Sequence, residues 1–184
     1  MSLARKLIAC VACTFIAAPL SCAEAYREDA VKAAFLNRFT GYVEWPATAA
    51  ENREFRIAVL GAPSIAGELQ QLVGALPARN LPTRVASIAS VTEARNADLL
   101  YVGAGYRGSL AKLVAEVGGR PVLIVSDHAR GLDDGAAINL LTVDQRVRFE
   151  VSLTAAQRAG LKISSQLLAV AVRVRGSRAE EGGR

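Results

Sequence analysis

Between Phe55 and Val125 one pattern recurs: a short apolar run, a glycine or turn, then a stretch long enough for a helix. Phe55 to Leu60 (FRIAVL) ends at Gly61, and Thr83 to Ile88 alternates in polarity. Asp98 to Val102 (DLLYV) leads to Gly103-Ala104-Gly105, and Val122 to Val125 (VLIV) closes the series. Apolar runs this short fit strands buried on both faces of a sheet. The segments between them, Ile65 to Val73 behind Ser64 as a cap and Leu110 to Val117 before Gly118-Gly119, carry helical spacing. Strands that alternate with helices predict an α/β fold: an open, mostly parallel sheet with helices on both faces.

The flanks add further elements. Glu28 to Val43 places Val31, Ala34, Phe35, Phe39, Tyr42 and Val43 at helical spacing, and Pro46 stops that helix. Ala137 to Thr142 and Arg146 to Leu153, joined at Val143-Asp144-Gln145, predict an antiparallel hairpin at the sheet edge near the C-terminus. Along its second strand Val147, Phe149 and Val151 share one face, and Arg146, Arg148 and Glu150 the other. Thr154 is placed to cap a short helix ending at Gly160, and a last helix is expected from Ile163 to Val174. From Gly176 to Arg184 the chain is polar and is expected to form a flexible tail.

The first residues read as a targeting signal. Arg5 and Lys6 precede an apolar run from Leu7 to Leu20, and small residues follow to Ala25. This predicts a cleavable signal peptide over residues 1–25, cut after Ala23 or Ala25, and one mature domain over 26–175. Cys22 offers a second reading as a lipid-attachment site, against which Pro19 stands where a leucine-like residue belongs. Cys10, Cys13 and Cys22 all fall in this segment, so the mature domain has neither thiol nor disulfide.

Composition narrows the chemistry. The only histidine is His128, which removes any imidazole cluster for zinc or copper. The net charge is +5 and 18 of the 22 basic residues are Arg, but they are scattered and form no aromatic-interleaved stripe, so nucleic acid is not an expected partner. Ser126, Asp127 and His128 supply the residue types of a hydrolytic triad, yet three neighbours in sequence cannot form that relay. Asp127 reads instead as a turn-capping residue, and Asp133, Asp134 and Asp144 as solvated turn residues without calcium-loop spacing. No metal or cofactor is expected, and no catalytic residues are assigned.

Two surfaces remain as candidates. In open α/β sheets ligands bind beyond the carboxyl ends of strands, which singles out Gly61, Ser64, Gly103, Gly105, Ser126 and Asp127 as pocket residues. The hairpin and the final helix offer Asn139, Arg148, Glu150, Leu167, Leu168 and Val172 as a protein-binding surface, with core packing as the competing role of the apolar members. Trp45, between Glu44 and Pro46, is expected to act structurally, covering the end of the first helix.

Several segments, in order, resemble the YfiR-like family. Val31-Lys32-Ala33-Ala34-Phe35-Leu36-Asn37-Arg38-Phe39 leading to Val43-Glu44-Trp45-Pro46 looks like its opening motif, and Phe55 to Gly61 its first strand. Gly119-Arg120-Pro121-Val122-Leu123 with Val125-Ser126-Asp127 and Ile138-Asn139-Leu140 resemble its central block. Arg146 to Val151 and Gly160 to Leu168 resemble its ending. The resemblance implies a dimerising α/β regulator of the periplasm, not an enzyme. It further implies a repressor that binds the periplasmic sensory domain of an inner-membrane diguanylate cyclase, lowers cyclic-di-GMP and biofilm formation, and is itself sequestered by an outer-membrane lipoprotein. Well-known members carry disulfides; this mature chain has no cysteine to form one. The alternative function is a periplasmic small-ligand binder using the loops after the strands.

Overall fold

A computed structural model describes residues 20–46 and 54–176, with side chains from Glu28 onward. Most of the expected leader and all of the tail beyond Gly176 lie outside the described residues. Two helices precede and flank the first long strand: α1 (Leu20–Phe39) and α2 (Pro63–Ala75). The long strands are β2 (Phe55–Leu60), β3 (Thr83–Ile88), β4 (Leu99–Val102) and β5 (Leu123–Ser126). They are followed by the hairpin strands β6 (Ile138–Val143) and β7 (Arg146–Ser152). The short strand β1 (Val43–Glu44) pairs antiparallel with β8 (Lys162–Ile163), and β9 (Arg173–Arg175) ends the described chain.

The main sheet has the order β3-β2-β4-β5-β6-β7-β9. Every neighbouring pair in it is parallel except β6 and β7. Alternation along each central strand sends Ile57 and Val59 to one face and Ala58 and Leu60 to the other, and both sets are buried. On the first face α1 and α2 supply Leu36, Phe39 and Leu69 to a core with Ile57, Leu99, Tyr101 and Leu123. On the second, α3 (Leu110–Val117) and the 3-10 segment Val91–Asn96 pack Leu113 and Ala94 against Leu100, Val102 and Ile124. The expected α/β fold is therefore the observed one.

Several details differ from the sequence reading, the first being that α1 ends at Phe39, so that Val43, expected in that helix, lies in β1. Asp144 and Gln145 form the two-residue turn of the hairpin, with φ of 48° and 58°, but β9 lies outside β7, so the hairpin stands one strand in from the edge. The expected helix from Ile163 to Val174 breaks into β8, a one-turn helix α5 (Ser165–Ala169) and β9. Ser164 accepts from the Leu167 amide and restarts the helix there; beyond it Val170, Val172 and Val174 alternate, a β pattern whose branched side chains resist a helix. The helix α4 (Leu153–Arg158) is capped by Ser152, which accepts from the Ala155 amide, not by Thr154. Likewise α2 opens on Pro63, and the Ser64 hydroxyl serves no cap but donates to Asp29 in α1 at 2.6 Å.

Trp45 is structural, at a different place from the one expected. Its indole N–H donates to the Asp98 carbonyl at 3.3 Å, its ring meets Phe55 edge-on at 5.2 Å, and the Arg79 guanidinium lies 4.9 Å above it. It seals the amino ends of β2 and β4. Trp45→Ala is expected to cost about 3–4 kcal/mol of unfolding free energy, read from the urea midpoint, because the buried ring leaves a cavity lined by Phe55.

Candidate functional site

The strand order reverses between β2 and β4, so the crevice beyond their carboxyl ends is the place a sheet of this kind would offer a ligand. Here it is filled by the chain itself. Gly61 takes φ of 73°, and a Cβ on it would stand 2.3 Å from the Tyr106 amide nitrogen. A Cβ on Gly105 would stand 2.3 Å from the Gly61 carbonyl oxygen, and one on Gly103 2.6 Å from Ala62 Cβ. The two loops touch backbone to backbone, which is why glycine occupies all three positions.

Beyond β5 the closure is electrostatic. Lys32 reaches from α1 to Asp127, its Nζ 2.8 Å from Oδ2, and stands 2.8 Å from Glu28 as well. Burial alone would depress the Lys32 pKa, but hydrogen bonds to Asp127 and Glu28 outweigh it and hold the ammonium above its ordinary value. The bond from Lys32 holds Glu28 below the carboxylate range against the opposing effect of burial, helped by the Thr142 hydroxyl. Tyr101, buried beneath this cluster, has its phenol pushed far up, first by burial and then by the Asp127 charge. Ser126 is fully buried and accepts from the His128 amide, while His128 Nε2 lies 3.1 Å from the Gly103 carbonyl. Asp127 is thus the anion of a buried ion pair, not the cap of a turn.

Of the six expected pocket residues, Gly61, Gly103 and Gly105 meet where their two loops touch, Ser126 and Asp127 follow at the end of β5, and Ser64 bonds instead to Asp29 of α1. Cavities of 220 to 580 Å³ among the described residues lie elsewhere and are lined by none of the six. The Lys32–Asp127 contact spans 95 positions and was not expected from sequence.

The hairpin candidates divide between interior and surface. Asn139 and Glu150 are opposite one another in β6 and β7, and both are buried. Asn139 Nδ2 donates to Glu150 Oε1 at 3.1 Å, and Arg173 in β9 donates to Oε2 through Nε at 2.8 Å and through Nη2. Arg175 pairs with Asp133 in the loop after β5, which holds the Asp133 carboxyl below its usual range. These pairs fasten β9 to the sheet. Leu167 is also core, at 5% exposure. Asn139, Glu150 and Leu167 thus shape the surface from within, while Arg148 and Val172 face solvent and Leu168 is half-buried. Exposed Val170, which lies beside them in sequence, extends the patch. The alternation Val170, Val172, Val174 was the signal available for β9.

Fold and surface define a small α/β domain that closes its ligand crevice with its own backbone and presents an apolar patch edged with arginine at the end of its sheet. The chain belongs to the YfiR/HmsC-like family (DUF4154), whose model matches residues 29–172. That family is one of periplasmic regulators rather than enzymes. A crystal structure of a conserved domain protein from Vibrio cholerae is similar in fold, with a TM-score of 0.54 at 12% identity; the match covers 80% of this chain and 60% of that one. An ABC domain from Streptococcus pneumonia, solved in complex with L-Trp, reaches 0.47 at 11% identity, over 65% of this chain and 55% of that one. No curated protein matches the chain. Among the described residues no helix is long and apolar enough to cross a membrane, and no group of three His, Cys, Asp or Glu is placed to hold a metal.

Proposed function

We propose that this chain is a periplasmic repressor that binds the sensory domain of an inner-membrane diguanylate cyclase and holds it inactive, lowering cyclic-di-GMP. The observation that carries this reading is the family match across nearly the whole predicted mature domain. The patch of Val170, Val172 and Leu168 beside Arg173 supports it, being apolar surface at 67% and 55% exposure for the two valines. The mechanism is linkage: preference for the inactive receptor shifts its population, and a swing from mostly active to mostly inactive needs about 5.5 kcal/mol of differential affinity. A few buried anchors in a modest interface supply that. Homodimerisation, and capture of the repressor by an outer-membrane lipoprotein, belong to the same proposal.

Deleting the gene is expected to raise cyclic-di-GMP and surface attachment, and a copy carrying Val170→Asp and Val172→Asp to fail to restore the low level. Unchanged cyclic-di-GMP after deletion sinks the reading. The small-ligand alternative draws no support from the loops after the strands, whose crevice the protein fills itself.

A further inference from the structure

The outer edge of β7 is only half covered. β9 pairs with Glu150, Val151 and Ser152, and the Val172 amide reaches the Phe149 carbonyl; nothing among the described residues pairs with Arg146, Val147 or Arg148 on that side. The two-residue turn makes Val143 and Arg146 a hydrogen-bonded pair of the hairpin, and the alternation of an antiparallel ladder makes Leu141 and Arg148 the next. Val147, between them, points its N–H and C=O away from β6 into the open notch.

The notch has two walls of different chemistry. On one side a groove of about 580 Å³ runs between β7 and α1, floored by Val147 and by Val31, which stands 43% exposed beside Glu28, whose carboxylate is already engaged by Lys32 and Thr142; Arg146 and Arg148 reach its rim. On the other face Arg146 and Arg148 are exposed with no carboxylate within ion-pair distance among the described residues. A strand added at Val147 would alternate its side chains between these walls. A second copy pairing through the same edge would set Arg146 and Arg148 against their own equivalents, and like charges directly opposite are destabilising.

We infer that the uncovered edge of β7 receives an extended segment of a partner protein, added as a further strand, with apolar side chains toward Val31 and Val147 and acidic ones toward Arg146 and Arg148. Main-chain bonds to Val147 supply affinity and the alternating side chains supply specificity. The inference goes beyond the repressor reading and does not depend on which receptor is bound.

The test is amide hydrogen exchange on the full mature chain, with a seven-residue peptide alternating Val and Glu as probe and its Val-Lys counterpart as control. Saturating Val-Glu peptide is expected to slow exchange at Val147 at least tenfold, and Val-Lys peptide to leave it unchanged. The double variant Arg146→Glu with Arg148→Glu keeps the edge and is expected to exchange these preferences, now protecting Val147 with the Val-Lys peptide. Absence of protection, or protection indifferent to peptide charge, overturns the inference. So does protection already present without peptide, whether it grows with protein concentration, marking a second copy, or vanishes in a chain ending at Gly176, marking the protein's own last residues.

Discussion

Lys32→Met is expected to lower unfolding stability by about 3 kcal/mol at neutral pH, because it strands the Asp127 carboxylate in a site with little access to water. Pairing it with Asp127→Leu is expected to recover most of the loss, since a buried ion pair and an apolar pair of similar volume are often close in stability. Chemical denaturation of the two variants reads both values; a single variant as stable as the parent would show that the pair holds nothing in place. The pH dependence follows from the directions of the shifts. Glu28 is depressed in the folded state, so its contribution is present above the ordinary carboxylate range and is lost as pH falls through its lowered value. Lys32 is raised, so its contribution is full below the usual lysine range and is lost only as pH climbs through the raised value. The parent should therefore keep a plateau across neutral pH and lose stability in acid, and Lys32→Met should show a shallower acid limb.

The second large effect is at Glu150. Glu150→Ala removes the acceptor of both Arg173 and Asn139 in a buried position and is expected to cost about 2–3 kcal/mol. Its local signature is more telling: amide exchange at Val174 should rise toward that of an unpaired strand while the amides of β2 and β4 stay protected. A uniform loss of protection through the sheet would mean that the carboxylate supports the whole fold and not the attachment of its last strand. Because Val172 immediately precedes β9, the same variant should weaken binding to the membrane partner proposed above even though Glu150 does not face solvent.

The sheet was legible where local and global preferences agree. Phe55–Leu60, Thr83–Ile88 and Leu110–Val117 appear at the boundaries their apolar spacing predicts, since β-branched runs and a helical stripe each meet a core of matching period. The hairpin turn was legible from its two strand-like flanks. β9 was not, because the alternation of Val170, Val172 and Val174 is too short to outweigh the helical spacing of Ile163, Leu167 and Leu168, and the three-residue strand is held in the sheet by Glu150 on another element. The candidate pocket shows the same division. Glycines after strands correctly mark close approach, but nothing local says whether the approaching group is a ligand or another loop of the same chain. Lys32, inside a helix, looks like any solvated residue until Asp127 is brought beside it.

The two-stranded pairing of Val43 with Ile163 has a consequence for biogenesis. A polypeptide emerges from the ribosome amino end first, so β1 waits until Lys162 and Ile163 have been made, and Phe35 and Phe39 wait for Phe149. Until then the leading helix shows its greasy side to chaperones and proteases. Nascent products that stop short of β8 should be cleared quickly, making synthesis of β8 a built-in checkpoint on how much regulator a cell accumulates.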